Sequence, residues 1–307
     1  MGTNKGTRLV KLQDFLKQTD AEVIGGLGLG GGIRTMYRPL SILNEKERAL
    51  KSSDLWIKES VTKQNLKAQS RLTSETIEIP LDCLVPSLRR HSGISYLDVT
   101  RKSDFLVMDV FPHIDEFLCD EKITEKFENN VVTWKEYIKR RVGRVLVARK
   151  FDLSAPGTCL FSFYSSVPLA PGEFWVIRPL TLQYAKILSL WLNSTPNLTQ
   201  MFLNRTETRG AWMKIDVRTL KESYIIDPRT LGKNENAELS RTFRQIGDNS
   251  FPSILNQLEQ VHPARELIDR IVLKMIGFSE GEIEETLDYL HSALANEIVQ
   301  LKRLMAG

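Results

Sequence analysis

The side chains best suited to chemistry in this chain lie close together past its midpoint. From Leu190 to Lys214 the sequence runs LWLNSTPNLTQMFLNRTETRGAWMK. An apolar helix ends at Asn193-Ser194-Thr195, and a short amphipathic segment follows. A basic loop broken by Gly210 then carries Arg205 and Arg209 into Trp212 and Lys214. Guanidinium groups fork onto phosphate oxygens, and an indole offers a face for stacking or for a cation. Glycine lets backbone approach a ligand closely. Together these groups suit contact with a charged, flat-faced ligand such as a nucleic acid. A second reading stays open: Trp212 and Met213 as core residues of a strand, with the arginines paired to Glu207 and Asp216. Asn193 and Ser194 also have two uses, hydrogen bonds to DNA or capping of the helix.

Two further tracts carry cations. The run Gly25–Gly32 follows a short strand candidate and contains Gly26-x-Gly28-x-x-Gly31, which matches a dinucleotide-binding fingerprint. That mechanism needs a helix N-terminus to hold the phosphate, and Pro39 leaves little room for one. A loop presenting Arg34 and Arg38 to phosphate fits the residues better. The other tract is Lys139-Arg140-Arg141-x-x-Arg144 with Arg149 and Lys150 beyond. Strand alternation puts Arg144 and Arg149 on opposite sides, so the two need separate partners. A solvated basic face at a helix end is the plainer alternative.

The bulk composition narrows the setting. With 307 residues, 42% hydrophobic and 26% charged, the chain resembles ordinary globular proteins and has length for about two domains of ~150 residues. The net charge of +4 is small, but its distribution is uneven. Seven Lys/Arg lie between Val131 and Lys150 against Glu136 alone, whereas six acids after Phe278 face only Lys302 and Arg303. The three cysteines are scattered, which suits a reduced, cytoplasmic setting, and the histidines show no zinc-type spacing. No apolar signal core opens the chain and no run reaches membrane-spanning length, so no membrane association is expected. The Asn-x-Ser/Thr sequons at Asn193, Asn197 and Asn204 are then chance matches. No nucleophile elbow, P-loop or His-x-x-x-His pair is present.

The elements that must position these groups read as α+β. Thr7–Lys17 has helical spacing, and strands are expected at Ala21–Ile24, Thr76–Pro80, Phe105–Val110, Val145–Ala148, Cys159–Tyr164 and Phe174–Ile177. Helices are expected at Leu84–Arg90, Thr133–Arg141 and Leu182–Leu192. Residues 41–74 are polar and lysine-rich, anchored by Leu55, Trp56 and Ile57. The polar stretch Gly232–Asn249 is the expected boundary before a helical hairpin. Its first helix, Ala264–Ile276, stops at Gly277. Ser279 with Glu282 forms a capping box, and Phe278 with Ile283 a hydrophobic staple. The division is therefore a mixed, β-containing recognition domain at 1–230 and a helical region at 231–307.

The order of these pieces resembles the C-terminal half of DNA adenine methyltransferases of restriction–modification systems, of type I or fused kind. The resemblance rests on Trp191-Leu192-Asn193-Ser194-Thr195, on Thr208–Lys214 followed by Asp216–Leu220 and Tyr224–Pro228, and on Arg265–Val272 with Ile276-Gly277-Phe278 and an acidic helix. Gly143–Lys150 and Phe174–Ile177 are similar to the strands that precede them, so it covers roughly residues 140 to 300. The family's (Asn/Asp)-Pro-Pro-aromatic motif is missing, because the chain has no Pro-Pro dipeptide. The resemblance thus implies the DNA-reading half alone, as a separate subunit or an excised piece. It implies double-stranded DNA and a methyltransferase catalytic domain or subunit as partners. It also implies no cofactor in this chain, S-adenosylmethionine being bound by the catalytic half. The DNA-facing residues would be Arg34, Arg38, Arg144, Arg149, Lys150, Asn193, Ser194, Arg205, Arg209, Gly210, Trp212 and Lys214. Two other readings are a complete nucleotide- or S-adenosylmethionine-binding enzyme using the 25–32 loop, and a helical interaction subunit without DNA contact.

Overall fold

The computed structural model describes residues 8–29, 36–48, 54–205 and 210–306. Strand β1 (Leu9–Lys11) runs straight into helix α1 (Leu12–Gln18), and β2 (Glu22–Gly25) follows. Next come β3 (Ser41–Leu43), β4 (Trp56–Val61), β5 (Asn65–Ser70), β6 (Thr76–Pro80), β7 (Leu84–Leu88) and β8 (Asp104–Val107). Three helices, α2 (Ile114–Leu118), α3 (Glu121–Glu128) and α4 (Val131–Lys139), lead to β9 (Gly143–Ala148) and β10 (Lys150–Asp152). Strands β11 (Ser162–Pro171) and β12 (Phe174–Arg178) precede α5 (Leu182–Asn193) and α6 (Thr195–Leu203). After β13 (Trp212–Lys214), α7 (Val217–Glu222) and β14 (Tyr224–Ile226), the chain is helical. It closes with α8 (Lys233–Ile246), α9 (Ile254–Glu259), α10 (Pro263–Ile276) and α11 (Glu280–Ala306). The fold is α+β, with one large mixed sheet and C-terminal helices.

Ten strands form that sheet, in the order β2-β12-β9-β11-β7-β8-β3-β4-β5-β6. Most neighbours are antiparallel; β11 with β7 and β3 with β4 are parallel. Two apolar clusters divide the sheet between them. One joins β9, β11 and β12 to α1, α5, α6 and the C-terminal helices, so residues on either side of 230 share a core. The other joins β3–β8 to α2–α4, with Trp134 and Phe117 buried at its centre. Val145 to Ala148 in β9 have no exposed surface, which makes β9 an interior strand covered on both faces.

Several elements depart from the sequence expectations for local reasons. Leu84–Leu88 is a strand, not a helix, because β8 pairs along it; Pro86 sits opposite Phe105 and has no N–H to offer a helix in any case. The polar stretch 41–74 forms three strands. Its buried residues are few but alternate, as Leu66, Ala68 and Ser70 do. The polar stretch 232–249 is helix α8, whose buried stripe Leu239, Phe243 and Ile246 docks on the main core. The hairpin α10–α11 forms as expected, with Gly277 left-handed at φ 105° and Ser279 N–H donating to Glu282 at 2.8 Å. At the expected staple, Phe278 is 38% exposed and Ile283 is buried with Leu273 and Leu287.

A buried polar junction ties the hairpin to the sheet domain. Asp269 on α10, fully buried, accepts from the Thr195 backbone N–H at 2.6 Å and the Thr195 hydroxyl at 2.7 Å, and meets His291 Nε2 of α11 at 2.8 Å. A buried carboxylate so committed is costly to remove, because its partners are left unpaired. Asp269→Ala is expected to lower the unfolding free energy in urea by about 3–5 kcal/mol. A loss below ~1 kcal/mol, the level of an exposed pair, would show that the junction does not brace the hairpin.

Candidate nucleic-acid interface

Strands β10 and β13 pair as a two-stranded antiparallel ribbon, with Lys150 opposite Lys214, Phe151 opposite Met213 and Asp152 opposite Trp212. Alternation sorts the ribbon by chemistry. Phe151 and Met213 point into the core, while Lys150, Lys214 and Trp212 face outward, the indole 38% exposed. The Lys150 ammonium lies 5.3 Å from the centre of the Trp212 ring. Two lysines directly across a strand pair repel each other. Asp152, at the end of β10 on the same face, has its carboxylate turned to the Ser154 N–H and hydroxyl, each at 2.8 Å, and makes no ion pair with either lysine among the described residues. Asp216 likewise caps α7 through Thr219 N–H at 2.8 Å, and that hydrogen bond pulls its carboxyl pKa down. The outward face of the ribbon is cationic and aromatic.

Arg149 precedes the ribbon, and its guanidinium sits 5.6 Å over Trp175, whose indole N–H donates to the Ile215 carbonyl at 2.8 Å. Ile215 N–H in turn donates to the Arg149 carbonyl at 2.9 Å. Arg149 Nε is buried without an acceptor among the described residues. The ribbon joins the main body around the turn Gly172–Phe174. Phe174 is paired with Ala148, Gly26 N–H donates to the Phe174 carbonyl at 2.9 Å, and Gly28 N–H to the Gly172 carbonyl at 3.2 Å. A Cβ added to Gly26 would meet the Gly172 carbonyl at 2.4 Å. The first glycines of the run therefore serve close backbone packing, which leaves Gly26 and Gly28 unavailable as a phosphate cradle. On the other side of the same turn stand Tyr37, next to exposed Arg38, and Arg89, whose carbonyl accepts Glu173 N–H at 3.4 Å.

Arg89 belongs to a charge network that the sequence did not reveal. Asp54 pairs with Arg89 and Arg90, the latter at 3.0 Å, and Asp104 holds Arg48 in a two-pronged pair at 2.6 and 3.0 Å. Asp104 also accepts the backbone N–H groups of Asn44 at 3.0 Å and Arg89 at 3.1 Å. Among the described residues, three arginines meet two aspartates in this network. Burial pushes the Arg89 guanidinium down from its usual range, and Asp54 opposes that shift. His91 continues the chain from Arg90 and presents its ring edge-on to Phe151 of the ribbon, 6.1 Å between centroids. The network thus fixes the loop that lies behind the ribbon. Asp104 at the head of an apolar strand was the one hint, and its meaning depended on partners 15 to 60 residues away.

The remaining expected contacts are scattered. Arg144 and Arg149 occupy opposite ends of buried β9, about 17 Å apart at ~3.4 Å per residue. Arg144 donates to the Ser166 carbonyl. Arg205 stacks on Phe202 at 3.8 Å and donates to the Phe202 carbonyl at 2.7 Å, as a C-terminal partner of α6. Arg34 and Arg209, with Glu207, lie outside the described residues; Gly210 opens β13 with φ 61°. Asn193 and Ser194 are corrected: neither has exposed surface. The Asn193 side chain accepts Phe161 and Ser162 N–H at 2.8 and 3.1 Å and donates to the Ser162 and Ser189 carbonyls at 2.9 Å. Ser194 caps α6 through Asn197 N–H at 3.3 Å. Both hold the α5–α6 corner against β11 and have no free polar atom for DNA. Among the described residues no group of three His, Cys, Asp or Glu side chains is placed to hold a metal ion, and no helix is long and apolar enough to cross a membrane.

Burial, and secondarily Arg90, depresses the His91 pKa from 6.5 to about 4. A group neutral in the fold and protonated more readily in the unfolded chain costs stability as pH falls below 6.5, and the loss continues down to the folded pKa. Urea unfolding at pH 7 and pH 5 should differ by about 2 kcal/mol from this residue alone. His262, also depressed by burial, adds in the same direction. His91→Gln should narrow the gap by that amount; an unchanged gap would show that His91 does not stay neutral in the folded protein.

No protein-family model matches the sequence, and no curated protein does. Among solved structures, the fold is similar to that of the type IIG restriction endonuclease BpuSI. The TM-score is 0.61 and the sequence identity 13%, over 95% of this chain and 31% of that chain. This chain therefore spans about a third of the length of that enzyme, and at this identity the shared property is the fold.

Proposed function

We propose that this protein is a DNA-binding target-recognition module of a restriction–modification adenine methyltransferase, with methyl transfer carried out elsewhere. The observation that carries the reading is the β10–β13 ribbon. A two-stranded ribbon is narrow enough for the DNA major groove. This one turns two opposed lysines and an indole outward and buries its other face. Arg149 precedes the ribbon, and exposed Arg38 follows Tyr37, which packs against Gly172; in this reading both contact phosphate. Arg34 and Arg209, outside the described residues, are assigned to DNA contact in the same reading, as are Gly210 and Arg205. The likeness to a type IIG restriction endonuclease supports a role in restriction–modification. S-adenosylmethionine and the flipped adenine belong to a separate catalytic domain or subunit.

Fluorescence anisotropy with a labelled duplex tests this. Binding should weaken steeply with salt, and Lys150→Gln with Lys214→Gln should reduce the log–log salt slope by about 2, near 0.9 per phosphate contact. Trp212→Ala should weaken binding by about tenfold if the indole stacks or packs on DNA. Absence of duplex binding at about 50 mM salt, or affinity indifferent to salt, would overturn the reading. Wild-type affinity in the Lys150/Lys214 variant would move the interface off the ribbon.

A further inference from the structure

A second basic surface lies away from the ribbon, where α5 passes α8. A cavity of about 520 Å³ opens between them, lined by Leu182, Gln183 and Lys186 of α5 and by Lys233, Asn236 and Ser240 of α8. The α8 residues follow helical spacing, so they present one continuous stripe. Two lysines and three neutral hydrogen-bonding side chains line the opening, and none of its lining residues is an acid.

The acids nearest in sequence are committed elsewhere. Glu235 pairs with Arg8 at 2.5 Å and folds back onto the α8 N-terminus through Gly232 N–H at 2.8 Å. Glu238 pairs with Lys274 of α10 at 2.7 Å. The Lys186 ammonium rests instead on two rings, 5.5 Å from the centre of Phe243 and 5.8 Å from that of Tyr164. Those rings meet edge to face at 4.8 Å and form a rigid floor. Burial pushes the Tyr164 hydroxyl up to about 12, so it offers Lys186 no counter-charge. Asp98, which also acts on Tyr164, accepts the Thr100 N–H at 2.9 Å and the Thr100 hydroxyl. Arg144 also acts on Tyr164 and is held by the Ser166 carbonyl, outside the lining of the groove.

We propose that the α5–α8 groove is an anion site that takes a phosphate group, held by the Lys186 and Lys233 ammonium groups with a hydrogen bond from the Ser240 hydroxyl. Lysine binds phosphate as a point charge, and a hydroxyl donor helps to fix its orientation. The groove has room for more than a bare phosphate ion, since small-ligand sites span about 300–1,000 Å³. The phosphate comes either from a nucleotide-sized molecule or from a nucleic-acid backbone. The site rests on its own residues and does not depend on the ribbon's contact with DNA.

Calorimetry of the full chain with pyrophosphate, in chloride buffer, tests the site. Saturable one-to-one binding is expected, weakened about tenfold or more by Lys186→Gln with Lys233→Gln, as loss of charge-assisted hydrogen bonds implies. Lys233→Gln alone, at an exposed position that the fold does not need, should weaken it severalfold. Lys150→Gln with Lys214→Gln should leave it unchanged. Absence of saturable heat, or equal affinity in the Lys186/Lys233 variant and the wild type, would overturn the proposal. A duplex titration of the same variant then separates the sources. Lost duplex affinity with a lower salt slope supports a backbone phosphate, and unchanged duplex affinity beside lost pyrophosphate binding supports a small phosphorylated ligand.

Discussion

The corner between α5 and α6 is the point on which the rest of the structure hangs. Asn193 spends its whole amide on the start of β11 and on its own helix, bridging the Phe161 and Ser162 N–H groups and the Ser162 and Ser189 carbonyls with no exposed surface. Thr195, two residues on, gives its N–H and hydroxyl to Asp269, which also meets His291. Sheet, corner and hairpin are thereby joined through fully paired polar groups. In a low-dielectric interior an unpaired group costs far more than a pair returns, so such a network tolerates one arrangement only. That fixity is transmitted: α6 leaves the corner at a set angle, Arg205 closes its last turn, and the chain returns as β13 beside β10.

A second constraint decides where charge can go. β9 is buried along its length, so its flanking arginines are forced to its two ends. One end feeds the Lys150–Lys214 ribbon. The other, at Arg144, turns to the Ser166 carbonyl next to β11. A basic segment that looks continuous in sequence is thus split into two surfaces with a packed strand between them. The acids follow the same logic, since Asp152 and Asp216 are held by local turns and Glu238 by Lys274, leaving the lysines outside. Like-charged neighbours at a surface are tolerable in water and become favourable once a polyanion supplies the missing charge.

The arginine–aspartate network shows the same principle in the interior. Asp54 and Asp104 gather Arg48, Arg89 and Arg90 from two separate segments and hold the 89–91 loop behind the ribbon. Buried pairs of this kind contribute little net stability but penalise any alternative packing. Its location beside the Gly172–Phe174 turn couples the second half of the sheet to the ribbon, although the two halves have separate apolar cores.

Local chemistry alone determined the α+β class, the strands β6, β8, β9 and β12, helices α4, α5 and α10, and the Gly277 stop, because their apolar spacing and caps act within a few residues. It also marked Arg149, Lys150, Trp212 and Lys214 as surface chemistry worth locating. Pairing and burial across long separations decided the rest. β7 is a strand because β8 lies beside it, and 41–74 holds three strands because neighbouring strands pair with them, β8 with β3 and β6 with β5. Gly26 and Gly28 pack against Gly172, so their spacing had no phosphate to explain. Asn193 and Ser194, polar residues at a helix end, looked available for a ligand until burial showed their hydrogen bonds spent inside. Residue type says what a group can bond to; only the tertiary structure decides whether a protein atom or the solvent gets there first.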